Sequence, residues 1–340
     1  MSDKAVGFGV VGLGMGSARA RTVAQTDGAE LVAVCDIDEE RGQKAKEEHG
    51  CEWLKDYGAL LARDEIDVVM VMTPSGMHAD MGCQAAAAGK HVITTKPLDV
   101  SLEKADQLIA ACQEAGVSLV VDFGRRYSPD NWRVRTAIDQ GRFGRLILGE
   151  ARLKWWRSQA YFGNGWRGTW AMDGGGSLMN QHVHGVDVLQ WLMGPVESVF
   201  GRIGTFAHDI ETEDLTMSML HFRNGAVGTI LSTTTFPADA ETRTEIHGDR
   251  GGVIMARGRI EFWMTKAAFD EARREQNPED FPYDYTGPRN VVEEMLGILR
   301  DGAEPIVSGE EARKSLEIIL AVYESARTGR EVALPLEAGA

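Results

Sequence analysis

The stretch from Val6 to Asp36 constrains the fold more than any other part of this 340-residue chain. A β-branched apolar run, Val6–Val11, leads without a break into Gly12-Leu13-Gly14-Met15-Gly16-Ser17; a helical segment follows, and a second apolar run, Leu31–Cys35, ends on Asp36. Glycines at such a turn let the chain reverse tightly and leave bare amides at the positive end of a helix, an arrangement that suits a pyrophosphate. Asp36 lies 24 residues after Gly12. A carboxylate there accepts both ribose hydroxyls of an adenosine and repels a 2′-phosphate, so NAD is the expected cofactor, with NADP the lesser. Ser17 stands where G-x-G-x-x-G would have its third glycine, and Arg41 leaves room for some use of NADP.

Short apolar runs then alternate with helical stretches, the pattern of βαβ units and a parallel sheet. Strands are expected at Val68–Met72, His91–Thr94 and Leu119–Val121, with a helix at Ser101–Ala115 that Ser101 caps and Gly116 ends. The alternation changes character near Tyr127-Ser128-Pro129. Later strands read as antiparallel: Leu146–Trp156, Val196–Ile203, Asp214–Phe222, Ala226–Thr234, Thr242–His247 and Val253–Trp263, with turns at Asn224-Gly225 and Asp249–Gly252. Two helices, Arg289–Arg300 and Gly309–Thr328, close the chain. The expected fold is α/β: a Rossmann dinucleotide-binding domain at 1–125, then an α+β domain at 126–340 with a large, mostly antiparallel open sheet for substrate binding and oligomerisation. The terminal helices are free to pack back on the first domain.

With 51 acidic against 36 basic residues the formal net charge is −15, which repels nucleic acid and anionic lipid. Cys35, Cys51, Cys83 and Cys112 show neither disulfide nor zinc-site spacing, and no run of 18 apolar residues or leader pattern occurs. A cytoplasmic location, small-molecule partners and no metal are expected.

Oxidising a secondary alcohol requires a group to take the hydroxyl proton and donors to hold the polyol. Lys96-Pro97 follows the strand expected at His91–Thr94, at the edge where ligands bind in this topology, although position alone fits a surface lysine equally well. After Gly174-Gly175-Gly176, Asn180 and His184 are four apart and share one helical face, while His182 points elsewhere. Two histidines facing opposite ways do not make a metal site. The segment from Lys154 to Gly168 is rich in aromatic and guanidinium groups, which stack on sugar faces and hold hydroxyls or carboxylates, although sheet packing accounts for Trp155 and Phe162.

The glycine turn at 12–16, Thr73-Pro74-Ser75-Gly76-Met77-His78, Lys96-Pro97 and the segment from Gly174 to Asp187 together resemble the Gfo/Idh/MocA oxidoreductases (glucose-fructose oxidoreductase, inositol dehydrogenase, rhizopine catabolism), over essentially the whole chain. The resemblance implies Lys96, Asn180 and His184 as the catalytic group. It implies Gly12, Gly14, Met15, Gly16, Asp36, Arg41, Thr73, Pro74, His78, Lys96, Pro97, Arg126, Trp166 and Arg167 at the cofactor, and Lys96, Arg126, Trp156, Arg157, Tyr161, Asn180 and His184 at the substrate. Two positions depart from the family pattern. Thr95 stands where a glutamate usually precedes Lys-Pro, and Asn180 where polyol dehydrogenases often have aspartate. Asn180 cannot take a proton, so it would bind and orient while His184 does the acid–base work.

The expected activity is hydride exchange between a nicotinamide and a secondary hydroxyl or ketone of a sugar, sugar acid or cyclitol. The alternatives are an enzyme that retains NAD and oxidises its sugar transiently to allow elimination, hydrolysis or epimerisation, and a non-catalytic dinucleotide or sugar sensor. A homodimer or homotetramer through the later sheet is expected.

Overall fold

The computed structural model describes residues 4–163, 165–266, 283 and 285–336. The chain divides into two compact units, residues 1–124 with 287–313, and residues 125–286 with 314–340.

In the first unit, β1 (Val6–Val11), β2 (Ala29–Cys35), β3 (Glu52–Leu54), β4 (Val68–Val71), β5 (His91–Thr95) and β6 (Leu119–Asp122) form one sheet in the order β3-β2-β1-β4-β5-β6. Every pairing is parallel. This is the doubly wound order, whose strand sequence reverses between β1 and β4 and opens a ligand crevice at their carboxyl ends. The connecting helices are α1 (Gly16–Ala24), α2 (Glu39–His49), α3 (Tyr57–Leu61), α4 (His78–Ala87) and α5 (Leu102–Ala115). Local chemistry sets their ends: Ser101 Oγ accepts from Lys104 N at 3.3 Å and Gly116 is left-handed at φ 67°, so α5 starts and stops at the residues its sequence names. The central strands are buried on both faces, with Val10, Val68, Val69, Met70, Val92, Ile93 and Val120 fully inaccessible.

The second unit begins with α6 (Pro129–Asp139), which the sequence reading passed over as a boundary although Pro129 opens it. Its sheet, among the described residues, comprises β7 (Leu146–Lys154), β8 (Val196–Gly204), β9 (Leu215–Phe222), β10 (Val227–Thr233), β11 (Arg243–Gly248), β12 (Gly251–Ala256), β13 (Arg259–Thr265) and β14 (Val332–Ala333) in the order β13-β12-β11-β7-β10-β9-β8-β14. Its pairings are antiparallel except β7 with β10, which run parallel from Val227↔Leu148 to Thr233↔Lys154. The strand expected at Val253–Trp263 is a hairpin instead, because Arg257 at φ 52° and Gly258 at φ 77° turn the chain between β12 and β13.

One face of this sheet is covered by α7 (Val183–Met193), where Gly149 leaves space for Leu189 and Met193. The other face carries Met217, Met219 and Val227, which are 55%, 58% and 45% exposed. The last helices are α8 (Val291–Asp301), which packs beside β6 in the first unit, and α9 (Gly309–Thr328), whose Val322 packs against Gly201 of β8 in the second.

Arg126 and Asp187 pin α7 from below. The guanidinium donates from Nε at 2.7 Å and Nη2 at 2.8 Å to the two carboxylate oxygens, with the arginine 1% and the aspartate 0% exposed. It also lies 4.5 Å from the Trp191 ring centre. Removing one partner of such a pair strands a buried charge. Arg126→Leu is therefore expected to cost about 3–5 kcal/mol in urea unfolding, with most of the loss recovered in Arg126→Leu/Asp187→Leu. A double variant no more stable than the single one would contradict this account.

Candidate functional site

In the first unit the expected cofactor residues gather at the carboxyl edge of the parallel sheet. β1 ends at Val11 and the chain turns through Gly12, held at φ 87°. A Cβ at Gly12 would lie 2.8 Å from the Met72 carbonyl and 3.0 Å from Thr73 N, so only glycine fits between β1 and the end of β4. Asp36, 8% exposed, holds this turn in place, its Oδ2 accepting from Leu13 N at 2.6 Å and its Oδ1 from Asp38 N at 2.8 Å. A carboxylate has about four acceptor positions. Two are committed to the backbone, which leaves each oxygen one more for a ribose hydroxyl.

The amides of Gly14, Met15 and Gly16 make no hydrogen bond to other described residues. The first turn of α1 has neither a side-chain cap nor an acidic residue. Gly14 is open, with nothing within 4 Å of a Cβ placed there. Beside it, the buried Thr73 Oγ1 lacks a partner among the described residues. Bare amides, an uncapped helix start, an orphaned hydroxyl and a half-engaged acid together fit the pyrophosphate and adenosine ribose of NAD. Arg41 sits farther out, exposed, with Nε 3.4 Å from Asp38.

Lys96 follows β5 and is half-buried. Its neighbour Pro97 is tied down by His78, whose ring lies fully buried between two carbonyls, Nδ1 2.8 Å from Pro97 O and Nε2 2.9 Å from Thr73 O. Burial lowers the His78 pKa below its ordinary value. With both ring nitrogens against the backbone, His78 joins the loop after β4 to the loop after β5; Pro74, half-buried, lies in the first of these. Where the glutamate before Lys-Pro is missing, Thr95 pairs in register with Asp122 of β6, and Asp122 is ion-paired to Arg19 of α1. A carboxylate thus stands one strand away from the position that lacks one.

In the second unit the segment from 177 to 193 departs from an ordinary helix. Ser177–His182 is wound as a π-helix before α7 begins. A buried acid holds its start. Glu213, 1% exposed, accepts from Gly176 N and Leu178 N, each at 2.8 Å, and Tyr323 Oη donates to it at 3.1 Å. The glycines make room: a Cβ at Gly176 would fall 1.8 Å from the Glu213 carbonyl, and one at Gly175 2.1 Å from Tyr323 Oη. From 173 to 190 only Asn180, Gln181 and His184 escape full burial. His182 turns into the core, where burial and then the Arg125 charge push its pKa down to about 3.

Around that stripe the guanidinium and aromatic groups form a ladder. Arg157 lies 4.8 Å from the Trp155 ring and 5.4 Å from the Tyr161 ring; Arg167 lies 4.3 Å from Tyr161 and 4.9 Å from Trp166. Gln181 ties it to the helix, accepting from Arg157 Nη2 at 3.1 Å and donating to Tyr161 Oη at 2.8 Å. Asn180 Nδ2 donates to the buried Asp173. Trp156 is 47% exposed and lies tilted against His208, with ring centres 6.1 Å apart. Arg126, by contrast, braces α7, both prongs of its fork bound to Asp187. Sequence reasoning passed over Gln181, Asp173, Glu213 and Tyr323. Of these only Asp173, directly before three glycines, stood in a suggestive place.

Residues 6–123 match the family model described as "Oxidoreductase family, NAD-binding Rossmann fold", and residues 131–254 match "GFO/IDH/MocA C-terminal domain". The 1,5-anhydro-D-fructose reductase of Ensifer adhaerens is 30% identical over 312 residues, covering 89% of this chain and 90% of that one. The chain belongs to the Gfo/Idh/MocA family. It is an NAD-binding oxidoreductase with the two-part fold of that family. The scyllo-inositol 2-dehydrogenase (NAD(+)) of Bacillus subtilis is 27% identical over 336 residues and covers 96% of both chains. Among solved structures, the WlbA dehydrogenase from Bordetella pertussis in complex with NADH and UDP-GlcNAcA aligns with a TM-score of 0.88 and 33% identity, over 99% of this chain and 100% of that one. Among the described residues of this family member, no helix is long and apolar enough to cross a membrane.

Burial raises the Glu213 pKa from its ordinary 4.5 to about 7, against the pull of the Leu178 and Gly176 amides. Folding therefore favours the protonated acid, and the stability this gives is full below pH 4.5 and lost as the pH climbs to about 7. Across that window the melting temperature of the wild type should fall with pH more steeply than that of Glu213→Gln. Parallel curves in differential scanning calorimetry would show that Glu213 ionises as freely as in the unfolded chain.

Proposed function

We infer that this oxidoreductase acts on a secondary hydroxyl, or the corresponding ketone, of a sugar or cyclitol, and that a sugar acid suits it best. The observation that carries the reading is the half-buried stripe Asn180, Gln181 and His184 set against the ladder from Trp155 through Arg157, Tyr161 and Arg167 to Trp166. Hydroxyl-bearing rings take amide and imidazole partners on their edges and aromatic groups on their faces. Two guanidinium groups already packed on aromatic rings add a pre-oriented fork for a carboxylate or phosphate. UDP-GlcNAcA, bound by the WlbA structure, has such groups, and inositols, the substrates of other relatives, share the array of secondary hydroxyls.

Oxidation of an alcohol requires the hydroxyl proton to leave as the carbinol hydrogen departs with its electron pair. Bound NAD supplies the acceptor for that hydrogen. His184 takes the hydroxyl proton, Lys96 donates a hydrogen bond to the reacting oxygen, and Asn180 orients the neighbouring hydroxyl. Reduction runs the same contacts backwards. Gly12, Gly14, Met15, Gly16, Asp36 and Thr73 hold the cofactor, while His78 and Pro97 set the course of the lysine loop. Asp36 makes NAD preferred to NADP.

The uncovered face of the second sheet supports a homodimer or homotetramer. Its rows alternate in charge: Glu150 pairs with Glu245 in one, Arg152 with Arg243 in the next. Met217 and Met219 lie in the same rows. A second copy related by a two-fold axis would set unlike rows together over the methionines. Four free cysteines, three of them buried, and a net charge of −15 suit a reducing cytoplasm.

The test is an absorbance screen for NADH formation with NAD and NADP in parallel against inositols, hexoses, uronic acids and UDP-GlcNAcA. Turnover is expected with a polyhydroxylated ring and NAD, and Lys96→Met and His184→Ala should each lower kcat by about 100-fold to 10,000-fold, the usual weight of a positioned acid or base. Full turnover in either variant would remove that residue from its role.

A further inference from the structure

Asp173 is buried beneath Asn180, 1% exposed and fixed by the chain around it. Its Oδ2 accepts from Gly168 N at 2.9 Å and its own amide donates to Thr169 O at 3.1 Å. Its Oδ1 accepts from Asn180 Nδ2. A terminal amide has two ends of nearly equal shape and opposite polarity, and only the N–H end can face a carboxylate. The contact therefore decides which way the Asn180 amide points. Oδ1 turns away from Asp173, to the side where Gln181 Nε2 approaches at 3.4 Å.

We propose that Asp173 is a positioning residue for the oxidoreductase reaction: it locks the Asn180 amide so that its oxygen, a pure acceptor, meets a substrate hydroxyl and directs that hydroxyl's proton. The role rests on the proposed reading of Asn180 as a substrate contact. It also gives a physical reason for an amide at a position where polyol dehydrogenases of this family often have aspartate. Aspartate at 180 would bring two carboxylates into hydrogen-bond contact in a buried place, where they must share a proton. An amide at 180 keeps the acceptor oxygen without the second charge.

The pair can be exchanged, which makes it testable. In Asp173→Asn the amide of Asn180 is free to reverse and present its NH₂ group. In Asn180→Asp two acids collide. In Asp173→Asn/Asn180→Asp the amide and acid have changed places and an oxygen faces the substrate again. The four proteins are compared by thermal melting from about pH 5 to about pH 9 and by kcat and KM for UDP-GlcNAcA with NAD. Glu213, His184 on the next turn, and Arg157 and Arg167 near the stripe are present in all four; Tyr323, which feels the Asp173 charge, loses it in Asp173→Asn and the double variant, so the wild type and Asn180→Asp are the pair that isolates the second acid.

The shared proton raises a carboxyl pKa in Asn180→Asp, so its stability relative to the wild type should fall as pH rises, and that slope should vanish in the double variant. Each single variant should lose about tenfold or more in kcat, with KM less affected, and the double should regain at least half of the logarithmic loss. Asn180→Ala separates the two levels. If it is inactive while the exchange variants are merely additive and Asn180→Asp melts without a pH slope, the role of Asp173 is overturned and Asn180 keeps its own. If Asn180→Ala turns over at the wild-type rate, the reading of Asn180 fails and the role of Asp173 falls with it. Should the wild type not use this probe, additive melting in the exchange series alone overturns the pairing.

Discussion

The carboxylate of Asp36 holds the nucleotide end of the molecule together. One oxygen accepts from Leu13 N in the glycine turn, the other from Asp38 N at the head of α2. The turn after β1 is thereby bolted to the end of β2, and Gly12 can press against the end of β4. The strand order reverses at that point, so neighbouring loops diverge and leave the crevice open. The same acid that shapes the turn has two acceptor positions left over. One side chain can serve both structure and binding, because a carboxylate has more lone pairs than the backbone needs here.

The second unit solves a similar problem with a different acid. Glu213 reaches the start of the segment that carries Asn180 and His184 and accepts from two of its amides. Three glycines let it come close enough, and the helix winds widely for one turn before tightening into α7. Irregular winding of this kind recurs at functional sites. Below, the Arg126–Asp187 pair keeps α7 from shifting. The result is a narrow polar stripe on an otherwise buried helix, flanked by guanidinium groups that their aromatic neighbours hold in place.

What could be read from the residues alone follows from how local each cause is. β1, the glycine turn, β2 and Asp36 are contiguous and carry their own instructions, as does α5 with Ser101 at one end and Gly116 at the other. The way the π-helical segment is anchored was invisible because Glu213, which holds its start, stands 37 residues from Gly176. β3 is three residues long, too short to show a period. The hairpin at Arg257-Gly258 hid inside a run that looked like one strand, since its second half continues the apolar alternation. Nor does the alternation in β7 and β10 reveal that they run parallel, because a strand's faces read the same in either direction. Asp173 and Arg126 show the limit for side chains: one looked like loop and the other like a ligand contact, and only their buried partners identify them as braces.

The most direct test of the cradle is equilibrium binding of NADH and NADPH to the wild-type protein, followed by nicotinamide fluorescence. If Asp36 grips the adenosine ribose as its geometry allows, NADH should bind at least about tenfold more tightly, roughly 1.4 kcal/mol, because a 2′-phosphate would have to approach an ionised carboxylate. Equal Kd values, or tighter binding of NADPH, would contradict the account.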